Sequence, residues 1–366
     1  MAHAKQSVAL VFGGESSEHS VSCATAVGVR SALLEAGKYD VIGIGIGRDG
    51  RSWLTEIDAT WKLDGGAPEV VASGDEVIWP LGGGAILVRT AAGEVRELSD
   101  VAVVFPLLHG LNGEDGSIQG LLQLCHLPYV GNGVLASAAA MDKSVAKAIF
   151  RDAGIPVAPS VSVTRARWVS DPETVFEQIA ELGSGELFVK PARSGSSVGV
   201  TLVKNRDQLG PAIAEALRHD RVAIVEVRLF GREIECAVLE SPDDAEPRIS
   251  QPGEIVMLTR DFYDYESKYL DSNAAELVVP TQLSEIEQRE LVRLARRAFR
   301  SLGCSGLARV DFFLTDQGWY LTEVNTMPGF TPISMYPNLW RVTGMEFPEL
   351  VSALVEMGIA AGTSPR

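Results

Sequence analysis

At 366 residues and 46% hydrophobic content, the chain is long enough for two or three domains with sizeable cores. Its formal charge of −16 argues against a sequence-independent grip on nucleic acid or an anionic membrane surface, since both need an excess of lysine and arginine. The four cysteines, Cys23, Cys125, Cys236 and Cys304, form no C-x-x-C pair, so neither a zinc knuckle nor a redox motif is offered, and scattered core thiols in a reducing compartment are expected.

The first apolar run, "SVALVFGG" at 7–14, is too brief for a signal-peptide core, and no run approaches the ~20 residues of a membrane span. A soluble cytoplasmic protein is the expectation. That run and "YDVIGIGIG" at 39–47 have the pattern of strands, with a helix, "SCATAVGVRSALLEAG", between them ending at Gly37. "DVAVVFPLLHG" at 100–110 predicts a further buried strand. Strand, helix, strand implies a parallel sheet, and hence an N-terminal α/β domain over residues 1–135. Residues 65–84 supply loop and edge-strand material. Gly45, Gly47 and Gly50 match G-x-G-x-x-G, but "RSWLTEI" follows as a turn and strand, so the helix a dinucleotide fingerprint requires is missing.

A second domain is predicted over 136–240. It begins with one long helix, "ASAAAMDKSVAKAIFRDAG", and a Pro-marked linker, "IPVAPSVSV". "ELFVKPARSGSSVGV" and "VAIVEVRLFGREIECAVLE" then flank the helix "QLGPAIAEALRHD" as two hairpin-like pieces. Residues 241–366 form the third unit. It holds an aromatic and acidic loop, "DFYDYESKYLDSN", a helix, "SEIEQRELVRLARRAFRSLG", the strands "GLARVDFFLT" and "GWYLTEVNT", and a last helix near 346–357.

Chemistry concentrates in a few stretches. Glu323 and Asn325 stand two apart on a strand and therefore face one way. The short "TDQG" turn can bring Asp311 of the preceding strand beside them. Three hard oxygen ligands suit Mg²⁺, with substrate phosphates completing the octahedron; the alternative is a solvated face of ordinary carboxylates, against which Leu321 and Val324 argue. Lys190 ends an apolar strand, and the turn from Ser194 to Gly199, with Ser196 and Ser197 inside it, is rich in phosphate donors. It is no Walker A loop, because the lysine precedes the glycines; a plain Gly/Ser hairpin loop is the other reading. Lys143 lies on a helix face and reads by itself as an ordinary solvated lysine. Glu226 ends one strand and Glu233 opens the next, a placement suited to ribose hydroxyls and an adenine amino edge. Glu18 and His109 follow strands in Gly-rich loops, where open α/β sheets bind ligands. For Glu18 helix stabilisation, and for His109 a structural role, remain open.

Taken together, "GGESSEHSVS", "HGLNGEDGSIQG", "KPARSGSSVGV", "YDYESKYLDSN", "GLARVDFF" and "EVNTMPGFTPISMYP" resemble the D-alanine–D-alanine ligases of the ATP-grasp superfamily, in family order across nearly the whole chain. The resemblance implies an α/β fold whose central and C-terminal domains hold ATP between them. By motif position it makes Asp311, Glu323 and Asn325 the ligands of two Mg²⁺ ions, with Mn²⁺ as an alternative and a monovalent cation as a further candidate. It makes Lys143, Lys190, Ser197 and Lys268 phosphate contacts, and puts Glu226 and Glu233 at adenine and ribose; Val227 and Arg228 have no matched role. Glu18, His109, Arg309, Ser334 and Met335 fall at the amino-acid sites, and Gly329 with Arg309 at the oxyanion. Ser196 and Tyr269 match the pair that closes a loop over the site together with Glu18. Tyr269, where ester-forming relatives carry Phe, implies an amine nucleophile. The implied activity is ATP-dependent formation of D-alanyl-D-alanine through a D-alanyl phosphate for peptidoglycan precursors, by a homodimer. The competing readings are a D-alanine–D-lactate or other ATP-grasp ligase, and a nucleotide-binding regulator without turnover.

Overall fold

The computed structural model describes residues 5–62, 68–72, 74–98, 100–195, 198–241, 245–258 and 275–364. A seven-stranded sheet begins the chain. β1 (Gln6–Gly13) pairs in parallel with β2 (Tyr39–Ile46) and with β7 (Val103–Pro106). The short strands β3 (Ser52–Leu54), β4 (Glu76–Ile78), β5 (Leu87–Arg89) and β6 (Val95–Glu97) extend it antiparallel from β2. β3 occupies the place where a dinucleotide fingerprint would need a helix. Between β1 and β2 runs α1 (His19–Ala36), which ends at Gly37 in the left-handed region, where glycine carries no Cβ penalty. α2 (Ser117–Leu124) follows β7.

The single helix expected from residue 136 is two. α3 (Val134–Met141) stops at Asp142, whose extended backbone starts α4 (Lys143–Asp152) and whose carboxylate accepts the amides of Ser144 and Val145. Asp142 is thus an N-cap inside an alanine-rich run, and the break makes Lys143 the first residue of a new helix.

The central unit is a four-stranded antiparallel sheet in the order β10-β9-β11-β8: β8 (Ser160–Thr164), β9 (Leu187–Pro191), β10 (Thr201–Val203) and β11 (Val222–Val227). Leu187, Val189, Ala223 and Val225 pack on α6 (Pro172–Ala180) and α7 (Leu209–His219); α5 (Arg165–Ser170) precedes α6. Strand alternation turns Phe188, Lys190 and Glu226 to the other face.

β12 (Arg232–Leu239) does not form the expected hairpin with β11. It pairs instead with β16 (Leu307–Thr315) in a second antiparallel sheet, which runs β15-β14-β12-β16-β17 with β13 (Arg248–Ile249) beside β12. β14 is Gly253–Met257, β15 Ala275–Val278 and β17 Gly318–Asn325. Ile234, Cys236, Val238, Val310 and Phe312 face α8 (Glu285–Ser301) in one core. α9 (Met335–Thr343) and α10 (Phe347–Ala361) turn back to the first domain, where Phe330, Tyr336, Leu350 and Leu354 share a core with Val8, Leu10 and Ala26. The last helix therefore packs with the N-terminal unit. No helix of the described residues is long and apolar enough to cross a membrane.

Asn132 joins the first sheet to the last. Only 3% exposed, its Nδ2 donates to the carbonyls of Leu307 (2.6 Å) and Thr326 (2.8 Å), and its Oδ1 accepts the Ser305 amide. Close approach is possible because Gly131 faces Gly306, where a Cβ would lie 3.0 Å from the Gly131 Cα. Asn132→Ala strands these buried groups and is expected to cost about 2–4 kcal/mol. Urea unfolding measures it, and a loss below ~1 kcal/mol would remove Asn132 from this role.

Candidate active site

A cavity of about 620 Å³ lies between the four-stranded and six-stranded sheets and opens toward the N-terminal domain. On β12 and β16 one face carries Glu233, Glu235, Arg309 and Asp311, with Glu235 directly opposite Asp311. The same face becomes apolar at Ala237, Leu239 and Leu307, which join the core shared with the first domain.

β17 reaches this face through a bulge. Phe312 pairs with Leu321 and Asp311 with Glu323, so Thr322 is the extra residue. Without it, Trp319, Leu321, Glu323 and Asn325 would all share one side. With it, Trp319 and Leu321 are buried in the α8 core while Glu323 and Asn325 line the cavity. The Thr322 hydroxyl secures the bulge by donating to the Asp311 carbonyl at 2.7 Å.

Arg309 binds Asp311 through two hydrogen bonds of 2.8 and 2.7 Å and lies 3.0 Å from Glu235. Burial opposes its charge, but Asp311 and Glu235 outweigh that and hold it well above the usual arginine range. Asn325 donates its amide nitrogen to Asp311 at 2.9 Å, which turns its oxygen into the atom that could hold a cation. Among the described residues no group of three or more His, Cys, Asp or Glu is arranged to hold a metal. Two carboxylates and one amide oxygen nevertheless fit Mg²⁺, which keeps several positions for water and substrate phosphate.

On the opposite wall Glu226, 9% exposed, is held by two lysines: Lys147 Nζ at 2.9 Å from one oxygen, and Lys190 in tight contact with the other. Burial opposes the Glu226 charge, yet Lys190 and Lys147 prevail and bring its pKa to about 2. Lys143 is tied down, donating to the Ser194 carbonyl at 2.7 Å. Arg193 anchors the base of that loop through Asp220 (2.6 Å). Lys147, Arg193 and Glu235 escaped the sequence analysis because each looks like an ordinary surface charge.

At the third wall Glu18 is the N-cap residue of α1 but makes no side-chain cap. Its Oε2 lies 3.0 Å from where a Cβ on Gly110 would be and 3.8 Å from that on Gly195, so it bridges the first domain and the serine loop. His109, 3% exposed, has Nδ1 3.5 Å from Glu114 and 3.3 Å from the Met327 carbonyl. Burial works against an imidazolium there, but Glu114 overrides it and raises the pKa.

The cavity thus gathers Glu18, His109, Lys143, Lys190, Glu226 and Glu233 with Arg309, Asp311, Glu323, Asn325 and Gly329. Ser334 and Met335 are not among its lining residues. Ser334 is the N-cap residue of α9 but makes no side-chain cap; its hydroxyl lies 2.7 Å from that of Thr331 and 3.3 Å from where a Cβ on Gly329 would be. Met335 is a core residue, 6% exposed beside Gly253, and belongs to the core shared with the first domain. Ser196, Ser197, Lys268 and Tyr269 lie outside the described residues.

An α/β domain joined to two antiparallel sheets that enclose a cleft lined by lysines and carboxylates defines the ATP-grasp class of ligases. Residues 7–132 match the family model described as D-ala D-ala ligase N-terminus, and residues 149–356 its C-terminus. The D-alanine–D-alanine ligases of Kineococcus radiotolerans and Mycobacterium ulcerans are each 47% identical, over 99% of both chains for the first and over 98% of this chain and 97% of the relative for the second. Among solved structures, the D-alanine–D-alanine ligase of Coxiella burnetii superposes with a TM-score of 0.80 at 34% identity, covering 98% of this chain and 95% of that one. The VanG D-Ala:D-Ser ligase of Enterococcus faecalis gives 0.81 at 33%, covering 97% and 99%. The chain belongs to the D-alanine–D-alanine ligase family.

The His109–Glu114 pair makes stability depend on pH. With the folded pKa above the ordinary 6.5, the folded state binds more protons, so the stabilisation is full below about 6.5 and is lost as pH rises through the folded value. Thermal unfolding from about pH 5.5 to about pH 8.5 should show the gap between the natural chain and His109→Gln narrowing. A gap that widens with pH would contradict the pairing.

Proposed function

We propose that the chain couples ATP cleavage to the joining of two D-alanine molecules, giving D-alanyl-D-alanine, ADP and phosphate for peptidoglycan precursors, as a cytoplasmic homodimer. The observation that carries this reading is the continuity of one cavity from Glu226 and Lys190 at its nucleotide end to Glu18 and His109 at its amino-acid end.

A carboxylate does not acylate an amine in water, so it must first gain a leaving group. Glu18 takes the ammonium of the first D-alanine, and His109 with Glu114 closes that side. A carboxylate oxygen attacks the γ-phosphorus, the bond to ADP breaks, and D-alanyl phosphate forms. Lys143 and Lys190, joined by Lys268, neutralise the transferring phosphoryl group and Ser197 donates a hydrogen bond to it, in a reaction catalysed mainly by positioning and charge. When bound by Asp311, Glu323 and Asn325, Mg²⁺ supplies Lewis-acid neutralisation of the phosphate oxygens.

The amine of the second D-alanine then attacks the acyl carbon. Arg309 and the backbone N–H of Gly329 stabilise the oxyanion, a contribution of roughly 3–4 kcal/mol per good donor in other enzymes. Phosphate leaves with the former carboxylate oxygen and the amine gives up a proton. Ser334, beside Gly329, holds that turn. Tyr269 and Ser196, together with Glu18, are assigned to keeping water from the acyl phosphate.

The likeness to a D-Ala:D-Ser ligase makes D-serine a necessary competitor for the second site. Phosphate release from Mg-ATP should require D-alanine, fail with L-alanine, and give D-alanyl-D-alanine by mass. With D-serine or D-lactate added to D-alanine, the dipeptide of D-alanine should remain the main product at neutral pH. A dominant mixed product would overturn the assigned second substrate, and release without any amino acid would overturn the ligase reading.

A further inference from the structure

Neither phosphoryl transfer nor acyl transfer makes use of Lys147, although it is the most deeply placed charge of the nucleotide wall. It is 3% exposed on the inner face of α4, one turn beyond Lys143. A lysine is almost never so buried unless paired. Its Nζ lies 2.9 Å from Glu226 Oε2 and 3.5 Å from the Ala158 carbonyl, and burial pushes its pKa down. A methionine of similar length would fill the same space at no desolvation cost, so packing does not account for a cation here.

We propose that Lys147 is a positioning residue for nucleotide selection: by holding one oxygen of Glu226 it keeps that carboxylate ionised and fixed as an acceptor for an exocyclic amino group. This rests on the ATP reading and extends it to the choice of base. An ionised carboxylate only accepts hydrogen bonds, so it favours a 6-aminopurine and leaves a 6-oxopurine with two acceptors face to face. Each Glu226 oxygen already meets one lysine, Lys147 on one side and Lys190 on the other, and the remaining lone pairs are available to the cavity that Glu226 lines. Without Lys147, one oxygen loses its cation and the buried carboxyl is far easier to protonate. In that form it can rotate and donate to a 6-oxo group.

The test is D-alanine-dependent phosphate release by the full chain with ATP and with ITP, whose base carries oxygen at position 6. Lys147→Met should raise KM for ATP about tenfold, leave kcat within about threefold, and improve the ratio of ITP to ATP use about tenfold, as expected for one charge-assisted contact at a specificity site. KM for D-alanine should not change. An unchanged ITP to ATP ratio overturns the proposal, whatever happens to overall activity, since a purely structural lysine would lower both nucleotides alike.

If Lys147→Met does not accumulate folded, Glu226→Gln is compared with Glu226→Gln/Lys147→Met, in which no buried carboxylate is left uncompensated. Lys147 acting through Glu226 predicts the same nucleotide ratio in both, and a further change in the double variant overturns it. Should the natural chain fail to turn over ATP with D-alanine, the ligase reading fails separately. The nucleotide ratio is then taken from calorimetric binding of ATP and ITP, where the same tenfold shift in Lys147→Met supports the inference and no shift overturns it.

Discussion

The extra residue at Thr322 decides what β17 can do. A strand alternates with period two, so a regular β17 would commit Glu323 and Asn325 to the same side as Trp319 and Leu321, which is the α8 core. One inserted residue reverses the alternation between Leu321 and Glu323. The first half of the strand then closes a hydrophobic core, and the second half delivers a carboxylate and an amide opposite Asp311 and Arg309. The core that makes the sheet rigid and the polar face that makes it reactive are thereby built from the same two strands.

A cleft so rich in charge holds together because its most buried charges have an opposite charge beside them before any ligand arrives. Arg309 sits between Asp311 and Glu235, and Glu226 sits between Lys147 and Lys190. Each arrangement replaces hydration that burial removes, since an unpaired charge in such a place would cost several kcal/mol. A prearranged polar lining of this kind also has little to reorganise during a reaction, which is where such sites gain most of their rate. The two walls belong to different sheets, and Asn132 and the Gly131–Gly306 contact fix the third wall, with Glu18 and His109, against the six-stranded one.

Much of this was legible in the sequence because the relevant signals are local. Alternating apolar residues gave the strands, and Glu323 with Asn325 stood out at spacing two. The bulge also left a trace, in that Leu321 and Val324 are both apolar yet out of phase, although only the pairing with β16 shows where the extra residue lies. The break at Asp142 was hidden by good helix formers on both sides, but Asp followed by exposed amides at Ser144 and Val145 is a capping signal that outweighs them. The separation of β11 from β12 was hidden for a different reason: "RLFGRE" looks like a hairpin turn, and only long-range pairing with β16 reveals that the chain crosses the cleft there. Lys147 and Glu235 carry no local mark at all, because burial of a charge is a property of the assembled walls.

The proposed ligation requires this cleft to activate a carboxylate by phosphorylating it. The direct measurement is a turnover with D-alanine labelled in both carboxylate oxygens with ¹⁸O, followed by mass analysis of the released phosphate. An acyl phosphate intermediate sends one carboxylate oxygen out with phosphate, so each phosphate should carry one ¹⁸O atom and the dipeptide should keep the others, one in its peptide carbonyl and two in its terminal carboxylate. Unlabelled phosphate formed alongside dipeptide would mean that the carboxylate oxygen never bonds to phosphorus, and the lysines and carboxylates of the cleft would then serve some other chemistry.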